Sequence, residues 1–155
     1  NSSDLLVPGR GYMVYMPTGA YTVAARGPIN SGTINLNPTY TDNGSGAGWN
    51  LVGNPYPATI DWDAEDWTKT NINNAVYIWR SNINQYATYI NGISANGGSS
   101  LIAPGQSFFV EATGPAPQLV VTEDCKSKSA GTFRTMENLP AHLSLKITMG
   151  DTTAT

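Results

Sequence analysis

Reactive side chains are scarce in this sequence. Its 155 residues include one cysteine, Cys125, and one histidine, His142. A lone cysteine forms no internal disulfide and cannot build a cysteine-rich zinc site. A Ser/His/Asp relay needs histidine as its shared base, and His142 stands beside Pro140 with no nucleophile motif near it. Charge is scarce as well. Asp, Glu, Lys and Arg make up 12% of the chain, about half the usual share. The eight Lys and Arg are scattered, so the clustered cations that displace counterions from nucleic acid are missing. The same shortage argues against docking on anionic lipid. No apolar run approaches the ~18 residues that cross a bilayer, so no membrane insertion is expected. The sequence starts at Asn1 and stops in a polar tail after a strand-like segment. We therefore expect a fragment of a longer protein, with the remainder of that chain as its nearest partner.

What is present is extended. Polarity comes from Asn, Thr, Ser and Gly rather than from ion pairs, as in many exported β-proteins. Residues 11–16 (GYMVYM) are apolar on both faces and predict a central strand covered on both sides. Residues 20–25, 32–37, 49–52, 75–79, 85–90, 106–112 and 118–122 predict further strands. A last pair is expected at 131–135 and 141–149, the second with Leu143, Leu145, Ile147 and Met149 on one face. Residues 53–57 (GNPYP) cannot continue a ladder, because two prolines lack N–H donors and hold their predecessors extended. That segment predicts a fixed corner. The glycine-, serine- and asparagine-rich residues 91–100 predict a mobile loop, and 123–130 an exposed polar stretch. Asp61 or Asp63 is placed to cap one helical turn. The whole reads as a single all-β module over 1–155, a two-sheet β-sandwich or jelly-roll. It would have about ten short strands and at most one short helix.

Several segments in order carry a resemblance. GWNLVGNPYP at 48–57 is followed by IDW at 60–62, WTKTN at 67–71, NAVYIW at 74–79 and YATY at 86–89. Then come IAPGQ at 102–106 and FFV at 108–110. This succession resembles a β-rich region near the C-terminus of large secreted Bacteroidetes surface proteins exported by the type IX secretion system. The resemblance covers roughly residues 9–150. It implies an extracellular or cell-surface location and carries no defined activity. Ser107 departs from the glycine usual after the Gln of that run, and the sorting domain is absent from this sequence.

The candidate chemistry gathers at 56–67. The acids Asp61, Asp63, Glu65 and Asp66 lie on one short run, poorly placed to straddle a glycosidic bond from opposite walls. Asp61, Asp63 and Glu65 alternate as oxygen ligands of a structural calcium can, although the glycine of an EF-hand loop is missing. Trp62 and Trp67 flank the run, Tyr56 sits in the corner, and Tyr86 lies on a strand. Flat aromatics stack on the C–H faces of sugars while Asp and Asn side chains bond the hydroxyls. Trp62, Trp67, Asp61, Tyr56 and Tyr86 are thus a candidate set for a polysaccharide or cell-surface glycan. For Trp62 and Trp67 the favoured reading is nevertheless that the rings brace the corner against the sandwich. Trp49, Tyr77 and Trp79 are expected in the core. The sequence favours a non-catalytic structural, accessory or adhesive module of a secreted protein, with a carbohydrate-binding module second and an enzyme a distant third. An open sheet edge would add self-association.

Overall fold

The computed structural model describes residues 5–14, 27–42, 44 and 46–131. They form an all-β protein with ten short strands: β1 (Ile34–Asn35), β2 (Trp49–Gly53), β3 (Ile60–Asp61), β4 (Thr68–Thr70), β5 (Ala75–Arg80), β6 (Gln85–Ile90), β7 (Ile93–Ala95), β8 (Leu101–Ile102), β9 (Ser107–Glu111) and β10 (Gln118–Val121). These build a five-stranded sheet in the order β2-β9-β5-β6-β7, a three-stranded sheet β1-β10-β4 and a two-stranded sheet β3-β8. All pairings are antiparallel. The arrangement is consistent with a β-sandwich.

Alternation sets the layers. On β5, Val76 and Ile78 are buried while Tyr77 and Trp79 point the other way; on β9, Phe108 and Val110 are buried and Phe109 is not. Period-two side-chain direction puts each set on one face of the five-stranded sheet. The inward set meets Leu119 and Val121 of β10, Ile60 of β3 and Ile102 of β8, all fully buried. Each such side chain removed from water contributes about 1.5–3 kcal/mol, so this shared core is what joins three small sheets.

Several expectations change. Residues 11–14 are not a buried central strand. Arg10 bridges Val52 and the Gly11 N–H bonds Leu51 O, but Met13 and Val14 are 69% and 61% exposed. Residues 9–11 lie antiparallel along the free edge of β2, the Gly53 N–H also donating to Gly9 O, and Tyr12, Met13 and Val14 beyond this bridge are exposed. Val14 is therefore outside the core in which Ile78 and Phe108 are buried. The expected strands at 20–25 and 141–149, His142, and all but the first residue of the 131–135 strand lie outside the described residues. The helical turn foreseen at 61–67 is a non-helical turn, and the one helical element among the described residues is a 3-10 turn at Glu123–Cys125. It folds Cys125 to 1% exposure inside the stretch expected to be exposed. Residues 91–100 contain strand β7, because Asn91-Gly92 forms a two-residue hairpin with both residues at positive φ, the combination a type I′ turn requires.

Gly48 closes the turn into β2. It has φ +81°, and a Cβ there would lie 2.0 Å from Ala112 O, while its own carbonyl accepts the Ala112 N–H. Gly48→Ala is expected to lower unfolding stability by about 2 kcal/mol, read as a shifted urea midpoint at unchanged slope.

Candidate functional site

The corner after β2 is built on Asn54, which is buried. Its Nδ2 donates to Ala58 O (2.8 Å), Ile102 O (3.1 Å) and Ala103 O (3.1 Å), and its Oδ1 accepts the Tyr56 N–H. Loop backbone that β strands cannot satisfy is thereby paired. Tyr56 is 2% exposed, and its hydroxyl is shared between Gly32 O and Val121 O. Burial, with a smaller contribution from the negative charge of Glu123, pushes its phenol up to about 12. Lys126 sits 4.4 Å from the centre of the same ring.

The aromatic–acidic run closes on itself. Trp62 is fully buried and Trp67 is 8% exposed, with ring centres 5.1 Å apart. Trp62 Nε1 donates to Asn74 Oδ1 (2.9 Å) and Trp67 Nε1 to Asp61 O (2.7 Å). Lys69 of β4 lies 4.0 Å over the Trp62 ring and donates to Trp62 O. Its burial lowers its pKa, partly offset by the nearby carboxylates of Asp63 and Asp61. The acids turn outward: Asp61 Oδ1 accepts the Asp63 N–H, and Asp63 Oδ2 accepts the Tyr89 hydroxyl, which holds that phenol above its ordinary pKa. Among the described residues no group of three His, Cys, Asp or Glu side chains is placed to hold a metal ion, the trio Asp61, Asp63 and Glu65 included.

The proposed contact set therefore separates. Tyr56, Trp62 and Trp67 are core residues that present no ring face to solvent. Burying a tryptophan is favourable when its N–H finds an acceptor, and here both indoles do. Tyr86 alone of the aromatic candidates lies open, at 41% exposure. It belongs to a different group, on the outward face of the five-stranded sheet. There Trp49 meets Tyr77 (ring centres 5.0 Å), and Tyr86 meets Tyr77 (6.5 Å), Trp79 (4.9 Å) and Phe109 (5.8 Å). All four contacts are edge-to-face, the favoured aromatic geometry. Trp49, expected in the core, is 45% exposed, and Tyr77 and Trp79 are only half-buried. They lie outward because Val76 and Ile78 take the inward positions of the same strand. Burial and the Glu111 charge raise the Tyr77 pKa. A shallow depression of about 330 Å³, lined by Tyr40, Trp49, Glu111 and Thr113 among others, continues the row past β2.

The chain matches no known family model, no curated protein sequence and no solved structure. Its fold defines the class, an all-β protein. Among the described residues no helix is long and apolar enough to cross a membrane.

Proposed function

We propose that this chain is a non-catalytic, extracellular adhesive or accessory module of a larger bacterial surface protein, acting through the outward face of the five-stranded sheet. The observation that carries this reading is the division of the aromatics. Those in the corner have their polar atoms bonded internally. The side chains of Trp49, Tyr77, Trp79 and Tyr86 are instead held only by ring contacts among the described residues and form one connected surface row. Contiguous exposed apolar surface of this kind marks interaction sites, and Trp and Tyr dominate binding energy where they occur in them. Sparse charge and the resemblance to secreted surface proteins support the location.

The test is retention of the purified chain on envelope fragments of Bacteroidetes cells. Wild type should be retained, and the double substitution Trp79→Thr/Tyr86→Thr should lower retention about tenfold. Threonine keeps strand propensity, so the melting transition should survive. Equal retention of both proteins would refute the reading.

A further inference from the structure

We infer that the outward aromatic row is a binding platform for a neutral polysaccharide, engaged as an extended chain of several sugars. This rests on the adhesive reading and names its ligand class.

Shape is the first argument. The row crosses β2, β9, β5 and β6, three strand spacings, or roughly 14 Å. It is a strip on an open sheet, with a shallow depression beside Trp49. A strip suits a linear polymer that lies along it. A single small molecule would instead require an enclosing pocket that buries most of its surface.

Chemistry is the second. Aromatic ring faces carry negative quadrupole charge, and the axial C–H groups of a pyranose are weakly positive. Stacking one on the other is therefore favourable, while the equatorial hydroxyls point sideways. The indole N–H groups of Trp49 and Trp79 and the hydroxyls of Tyr77 and Tyr86 border the row and can exchange hydrogen bonds with those hydroxyls. The interlocked edge-to-face contacts hold the rings in place before binding, which reduces the ordering cost of association.

Charge is the third. The outward positions run Trp49 and Leu51 on β2, Ser107, Phe109 and Glu111 on β9, Tyr77 and Trp79 on β5, and Tyr86 and Thr88 on β6. No Lys or Arg is among them. The single acid, Glu111, accepts a hydrogen bond from Asn73 Nδ2 (3.0 Å) at one end of the row. An anionic polymer would meet no compensating cation there, so the platform is matched to an uncharged chain.

Affinity electrophoresis through gels containing β-glucan, xylan, mannan or alginate tests this directly. At least one neutral polymer should retard the chain, and alginate should not. Trp79→Thr and Tyr86→Thr should each weaken the retardation about tenfold. The same polymer should change the emission of the exposed tryptophans. Periodate oxidation of the envelope fragments should abolish retention on them. Retention that survives periodate, with no neutral polymer retarding the chain, would overturn the polysaccharide while leaving the adhesive reading intact. Loss of retention on untreated envelopes together with no retardation would overturn both. A concentration-dependent dimer in sedimentation, abolished by Trp79→Thr, would also overturn the polysaccharide by assigning the face to a second copy.

Discussion

Trp62→Ala should lower the unfolding free energy by about 4 kcal/mol, the usual cost of emptying a buried aromatic site. The ring has no exposed surface and packs against Trp67 and Phe108 at 5.1 and 6.1 Å between centres. It also receives the Lys69 ammonium on its face and bonds Asn74. Truncation removes all of these contacts at once and strands a half-buried cation. Single domains are stable by only about 5–15 kcal/mol, so the variant should be partly unfolded at moderate temperature. Calorimetry or a urea titration measures this. Trp79→Thr provides the internal comparison, with an expected loss below about 1 kcal/mol because that ring is not part of the sealed core. Similar losses for the two would contradict the division of the aromatics into packing and surface groups.

Asn54→Leu should cost at least about 3 kcal/mol although it keeps the branched outline and heavy-atom count of the side chain. The substitution leaves the carbonyls of Ala58, Ile102 and Ala103 and the Tyr56 N–H without their partner, and a buried polar group left unpaired costs about 1–3 kcal/mol. Asn54→Asp keeps the shape but points a carboxylate at three carbonyl oxygens. Its folded pKa should lie above the unfolded value of about 3.9, so the uncharged form is favoured in the fold. The penalty is then smallest below pH 4 and grows as pH rises through the unfolded pKa, until the folded pKa is passed. Urea midpoints at pH 3.5 and pH 7 should therefore differ more from wild type at the higher pH. A gap that shrinks as pH rises would contradict the side-chain orientation described for the corner.

The strands that could be read in advance are those whose neighbours alternate in character. Residues 75–79 and 106–112 appear at β5 and β9 because branched and aromatic side chains follow one another there without a breaker. The 53–57 corner was legible for the opposite reason, since its prolines forbid a ladder. What was hidden is which face of a strand becomes interior. Tyr77 and Trp79 suit a core as well as Val76 and Ile78 do, and the choice is made by β9 and β10, which arrive from distant sequence. The same ambiguity left Trp62 and Trp67 open to two readings, of which the favoured one, bracing the corner, matches their burial. Acids beside them suggested solvent, yet on a tight turn successive side chains diverge, so Asp63 faces water while Trp62 goes inward. Asn91-Gly92 was a readable hairpin signal obscured by the glycine-rich composition around it. Cys125 had no local signal, because its burial depends on the Ser127 N–H reaching Thr59 O and Lys126 bridging Ile60.

The strand order fixes a sequence of assembly. The β5-β6-β7 meander joins neighbours through turns of a few residues, the contacts that close fastest. By contrast β1 pairs only with β10, and β2 with β9, across more than fifty residues of intervening chain. As the polypeptide is made, β1 must wait for its only strand partner, and β2 has only the short bridge from Arg10 along one edge, until residues 107–121 have been made. Closure of the sheets in the described residues thus depends on β9 and β10, the strands that hold β2 and β1 in place.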